Sequence, residues 1–212
     1  LGSVSTGGNY NTVMGSVAGN SLTSGNQNVI IGRAAGQNTT DVDNAVLIGK
    51  DAGGAINSAD ADGTIAIGHS ALKALTDGQN NIAIGHVAAD VLTVSNRNVI
   101  LGAEAFTTAA TATGQDDNIG IGYRALNNAN VQDFNRNIAI GSYALSTTGT
   151  NQQTGTIAIG FQALAGNGGG QSNTAIGYNA LVSNVAGDKN VALGYQAGED
   201  YNPTADYGNS VF

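Results

Sequence analysis

Apolar residues in this chain fall in short triplets at even distances, not on a helical stripe. Each triplet is aliphatic and often β-branched, and each closes on glycine. The copies read NTVMG at 11–15, NVIIG at 28–32, AVLIG at 45–49, TIAIG at 64–68, NIAIG at 81–85 and NVILG at 98–102. They continue as NIGIG at 118–122, NIAIG at 137–141, TIAIG at 156–160, NTAIG at 173–177 and NVALG at 190–194. Successive glycines lie 17–20 residues apart, the signature of stacked repeats. Triplets of this composition predict strands, whose side chains alternate between two faces. Met14, Ile31, Ile48, Ile67, Ile84, Leu101, Ile121, Ile140, Ile159, Ile176 and Leu193 stand just before the glycine. With the residues two places earlier, such as Val29, Ile82 and Ile138, they form the bulkier face, and that face is expected to line the interior of a solenoid. The middle residues, mostly alanine, as at Ala66, Ala83 and Ala139, form the opposite face. Both faces are apolar, whereas a thin coil has one interior, so the second face requires a partner. Packing against further copies of the chain as a homotrimer satisfies this. A dimer, or packing against another domain, would also do so.

Three residues after each glycine stands alanine, including Ala88, Ala144 and Ala180. A polar stretch of variable length follows, as expected of a surface loop. Asparagine opens eight of the triplets, among them Asn81, Asn137 and Asn173. Stacked asparagines form amide ladders. The closing glycines, such as Gly85, Gly141 and Gly177, suit a corner with positive φ or a close backbone approach. The expected fold is all-β: a parallel β-solenoid of about eleven coils of 17–20 residues, forming one repetitive segment over 1–212. Core repeats occupy 11–198, and 199–212 holds a longer loop and the start of a further repeat. Leu1-Gly2 and Asn209–Phe212 read as partial copies, so the natural chain is expected to extend at both ends.

Composition narrows the function. Of 212 residues, 32 are glycine without a three-residue period, one is proline and 10% are charged, which excludes collagen. The net charge of −8, with Lys and Arg scattered singly, argues against nucleic acid as a partner. There is no cysteine, so no disulfide framework forms. No apolar run reaches the length of a membrane span, so no membrane insertion is expected, and no basic-then-apolar leader opens the chain.

The pattern NTAIGYNAL at 173–181 and NIGIGYRAL at 118–126 resembles repeats of phage tail-fibre proteins. It is also similar to the head repeats of trimeric autotransporter adhesins, which share the Ala-Ile-Gly core. The resemblance covers about residues 11–198. It implies a β-roll wound as a trimer, located extracellularly on a virion tail fibre or a bacterial surface. Adhesin-head repeats are typically shorter than these, which favours the phage-type variant and leaves the hand and cross-section of the coil open. The implied function is a structural shaft or head segment of a phage tail or virion fibre involved in host attachment. The alternatives are an adhesin head and, behind it, a glycan-cleaving tailspike.

Candidate chemistry is sparse. His69 and His86 follow consecutive repeat glycines and should stack, but other copies place unrelated residues there, and no metal site is assigned. The acidic loops around Asp41–Asp43, Asp60–Asp62 and Asp116–Asp117 lack the later glutamate of a calcium loop and read as solvated. The two glutamates, Glu104 and Glu199, lie five coils apart, so no catalytic pair is assigned; neither an enzyme nor a cofactor is expected. Tyr123, Phe161, Tyr178 and Tyr195 share the position after glycine, with Tyr143 one residue later. They should align as an exposed ladder able to meet a host cell-surface glycan or protein, or to pack against a neighbouring subunit.

Overall fold

The computed structural model describes residues 8–107, 114–127, 134–147, 152–201 and 210–212. The chain is all-β, and no α-helix occurs among the described residues. Eleven three-residue strands, from Thr12–Met14 to Val191–Leu193, form a single parallel sheet ordered as in the sequence. The register is strict, with Ile65, Ala66 and Ile67 opposite Ile82, Ala83 and Ile84, and the same match recurs along the sheet. Eleven strands in sequence order make a β-solenoid of ten full turns. At ~4.8 Å per parallel strand the sheet extends about 50 Å. A smaller parallel pair joins Phe134–Asn135 to Gln153–Thr154 on the loop side.

Which strand face lines the interior is opposite to the sequence-based expectation. The middle residues Ile30, Leu47, Ala66, Ala83, Ile100, Ala139, Ala158, Ala175 and Ala192 are buried in the core. The bulkier flanking residues point outward and are half-buried or exposed, with Ile84 at 40% and Leu193 at 70%. The physical reason is the narrowness of the coil, because its interior is already filled from the corners. Four residues after the corner glycine, Leu72, Phe106, Leu126, Leu145, Leu164 and Leu181 are fully buried or nearly so.

In eight of the eleven coils the strand centre and this corner position compensate each other in volume; Ala83 with Ala89, Ile100 with Phe106, and Ala192 with Gly198 do not. Val13, Ile30 and Leu47 sit in coils with Gly19, Gly36 and Gly53, whereas Ala66, Gly120, Ala139, Ala158 and Ala175 sit with leucine. A Cβ on Gly36 would come within 2.8 Å of the Leu47 side chain, and one on Gly120 within 2.9 Å of Leu126. Ala192 and Gly198 are both small, and there Tyr201 and Phe212 pack instead, their rings 4.8 Å apart. Close packing of this kind leaves no room for the larger flanking side chains inside.

Every corner glycine with a coil stacked on it adopts a φ of 130–146°. A Cβ on Gly85 would stand 2.5 Å from the carbonyl oxygen of Gly102, so the backbone of the next coil excludes any side chain. Two residues later the chain is again left-handed, and there the residue is not glycine: Val17, Ala34, Val87 and Tyr143 all have φ of 50–60°. Such residues cost of order 1–3 kcal/mol each. Inter-coil bonds hold them, as where the Val87 and Tyr143 N–H groups donate to the carbonyls of His69 and Tyr123. Alanines 88, 144 and 180, one residue further, have no exposure at all.

The asparagines form a buried ladder. Asn118 Nδ2 donates to Asn98 Oδ1 at 3.1 Å, and Asn137 Nδ2 to Asn118 Oδ1 at 3.2 Å. Each also donates to a loop carbonyl, Asn137 to Gln153 at 3.0 Å, Asn81 to Ser95 at 2.6 Å and Asn173 to Gly187 at 2.7 Å. The Asn137 Oδ1 in turn accepts from the Thr156 N–H. Asn137→Ala therefore strands the Thr156 N–H and removes one bond each from the Gln153 carbonyl and the Asn118 amide oxygen. At ~1–3 kcal/mol per unsatisfied buried group, the variant should lose about 3 kcal/mol, read as a lower urea midpoint. At the far end, Ser210 takes the ladder position, its N–H donating to Asn190 Oδ1 at 3.0 Å, and Val211 bridges Val191. Residues 202–209, including Asn209, lie outside the described residues, as do Leu1 and Gly2.

Candidate functional site

The outward sheet face runs the length of the eleven-stranded sheet. It carries two ranks of apolar side chains, one residue each per coil. One rank contains Val29, Val46, Ile65, Ile82, Val99, Ile119, Ile138 and Ile157, and the other Ile31, Ile48, Ile67, Ile84, Leu101, Ile121, Ile140 and Ile159. The ranks stand roughly 7 Å apart, the distance between alternate residues of a strand. The face left outside the solenoid is thus the bulky one and not the alanine one. A strip about 50 Å long and two side chains wide approaches the upper end of the apolar patches found on monomers.

The aromatic residues align as a continuous ladder. Tyr123 meets Tyr143 edge-on at 5.4 Å, and Tyr143 meets Phe161 edge-on at 6.3 Å. Phe161, Tyr178 and Tyr195 stack nearly parallel, with centroids 5.2 and 5.4 Å apart. The Tyr178 ring thus has a neighbouring ring on each side. The ladder offers mainly ring edges outward, whereas sugar stacking uses ring faces. Arg124 lies 5.2 Å from the Tyr123 ring centroid and also pairs with Glu104 at 2.6 Å, tying the first rung to the coil before it.

His69 and His86 stack with centroids 5.3 Å apart and planes at 16°. Corresponding nitrogens on parallel rings at that spacing are too far apart for one metal at 2.0–2.1 Å from each. The Lys50 ammonium lies 3.4 Å from His69 Nε2. Among the described residues, no group of three or more His, Asp or Glu could hold a metal ion.

Of the loop acids, Asp41, Asp60 and Asp117 are exposed as expected, whereas Asp43, Asp62 and Asp116 are not freely solvated. Asp43 Oδ1 accepts the Asn26 N–H at 2.6 Å, Asp62 Oδ1 the Asp43 N–H at 2.7 Å, and Asp116 Oδ1 the Asn96 N–H at 2.7 Å. They form a second side-chain ladder, in which Asn96 Oδ1 plays the same part towards Gln79. The signal was present in the sequence: in most coils an Asn or Asp stands two residues before the buried ladder position. Asp117 pairs with Arg97 at 2.6 Å, which holds its carboxyl below the ordinary carboxylate value. Glu199 accepts from Asn179 at 3.1 Å.

Asp90 is the exception. It is half-buried, and its Oδ1 has no hydrogen-bond partner. Burial pushes its carboxyl above the ordinary value, against the opposing pull of its own backbone N–H, Lys73 and His86. A raised folded-state pKa means that stability is lost as pH rises through it. Asp90→Asn should therefore melt higher than the parent at pH 7. The difference should shrink as pH falls into the carboxylate range, and a gap that widened on acidification would contradict this account.

No family model matches the sequence, and neither a curated protein nor a solved structure matches it. Fold and repeat together define the chain as a β-solenoid repeat protein. No helix among the described residues is long and apolar enough to cross a membrane.

Proposed function

We propose that this protein is a structural segment of a phage tail or virion fibre involved in host attachment, and that it assembles with two further copies through its outward sheet face. The carrying observation is the pair of ranks on eleven strands in strict register, apolar except at Thr12 and Thr174. Three parallel copies around the fibre axis would bring these ranks together at matching heights along the whole sheet. Such cyclic closure uses the same surface on every subunit and leaves none of it open. The fibre role draws on the resemblance of NTAIGYNAL and NIGIGYRAL to tail-fibre repeats. The chemistry agrees, because the acids and asparagines near the loops hydrogen-bond between coils and so stiffen the rod. The aromatic ladder would take part in the assembly as a seam beside the sheet or meet the host surface by its edges.

Light scattering tests the assembly. The chain has a mass of 21.1 kDa, so a trimer should appear at three times that, 63.3 kDa. A stable, folded species at 21.1 kDa across the micromolar range would overturn the trimer and leave the ranks to a different partner.

A further inference from the structure

The loop column five residues after the corner glycine holds Asn20, Gln37, Gly54, Lys73, Asp90 and Thr107 in successive coils. Gly54 is the only glycine anywhere in this column. Its backbone does not require glycine, because its φ lies outside the left-handed region. A Cβ there would stand 3.3 Å from the Asp51 carbonyl oxygen and 3.8 Å from that of Ala34, with nothing nearer.

The missing side chain opens a notch of about 220 Å³ between Gln37 and Lys73. Ala34, Gly54 and Ala55 make its apolar floor, while Gln37, Asn38, Asp51 and Lys73 supply its polar walls. The stack is also interrupted here. Ser21, Ala55 and Ala74 donate their N–H groups to the carbonyls of Gln37, Lys73 and Asp90, whereas the equivalent Asn38 N–H makes no bond to the Gly54 carbonyl, nor the Val91 N–H to that of Thr107. A backbone donor and acceptor are thereby left for a ligand.

We propose that this notch binds one pyranose residue of a cell-surface glycan. A pyranose presents an apolar C–H face, which suits the Ala and Gly floor, and a rim of hydroxyls that both donate and accept. The walls match that rim, with donors on Lys73, Gln37 and Asn38 and acceptors on Asp51 and the two amide oxygens. The Asp51 carboxylate lies 3.5 Å from the Lys50 ammonium and 4.0 Å from the Arg33 guanidinium, and Lys73 faces it across the notch, so both signs of charge stand on the rim. None of the lining residues belongs to the outward ranks. The proposal rests on the attachment role only for the source of the glycan.

Saturation-transfer NMR on the full chain, with the methyl glycosides of glucose, galactose, mannose, N-acetylglucosamine and glucuronate, tests it. At least one of these glycosides should bind in the millimolar range. Gly54→Gln, which fills the notch, should weaken binding at least tenfold with melting unchanged, and Lys73→Ala should weaken it severalfold. Should Gly54→Gln fail to fold, Asn38→Ala replaces it with the same expected loss. Absence of binding by every glycoside, or equal binding by the filled variant, would each overturn the proposal. None of these results alters the scattering mass, so a failed notch and a failed trimer are read separately.

Discussion

Ile140→Asp is expected to leave each solenoid folded and to abolish its assembly. The side chain sits on the outward face of the strand Ile138–Ile140, while the neighbouring Ala139 is buried inside. In the separate chain an aspartate at this position stays in contact with water, so the coil loses little. In the trimer it would be buried among Ile121 and Ile159 and their counterparts on the other copies, with no cation opposite. Burying such a charge without a partner costs several kcal/mol per subunit, enough to dissociate the complex. The scattering mass should fall from 63.3 to 21.1 kDa while the β-sheet circular dichroism persists. Ala139→Asp should do the reverse, collapsing the coil itself. A trimeric Ile140→Asp with unchanged melting would remove the sheet face from the interface.

The second large effect concerns the corner glycines, and it can be separated into its causes. Gly141 and Gly194 have nearly the same conformation, with φ of 130° and 132°. A Cβ on Gly141 would stand 2.4 Å from the Gly160 carbonyl oxygen, a backbone atom that cannot move without shifting the next coil. A Cβ on Gly194 would meet nothing within 4 Å. Gly194→Ala therefore carries only the conformational strain, about 1–3 kcal/mol. Gly141→Ala carries the same strain together with a broken stack, and it should lose on the order of 5 kcal/mol. Thermal melting of the two variants side by side gives the contribution of coil stacking by difference. Equal losses would mean that the corner glycine is demanded by φ alone.

The compensating pairs show why the interior was misassigned from sequence. Hydrophobic bulk alone favours burying the isoleucines before glycine, and nothing local contradicts that choice. The decisive signal was relational: large strand centres such as Ile30 and Leu47 coincide with Gly36 and Gly53, and small ones such as Ala139 and Ala158 coincide with Leu145 and Leu164. A volume exchange of this kind marks two positions that share one space. The left-handed residues carried no such signal, because Val17 and Val87 are β-branched and oppose that conformation by themselves. The Gly54 notch was equally hidden, since one glycine in a variable loop gains meaning only once its neighbours are known to be Gln37 and Lys73 of adjacent coils.

By itself the sequence determined the number of coils, their parallel order, the corner at each glycine and the line of asparagines. These follow from a repeat whose period is constant enough that identical residues must stack, and stacked identical residues hydrogen-bond in register. Only the tertiary structure decided which strand face looks inward, because both faces are apolar and the choice depends on how much space the corner leucines leave. It alone also placed the loop acids on backbone N–H groups, turned the aromatic rings onto one another and opened the notch at Gly54. Each of these depends on contacts between coils, residues 14 to 20 apart in the chain and a few ångströms apart in space.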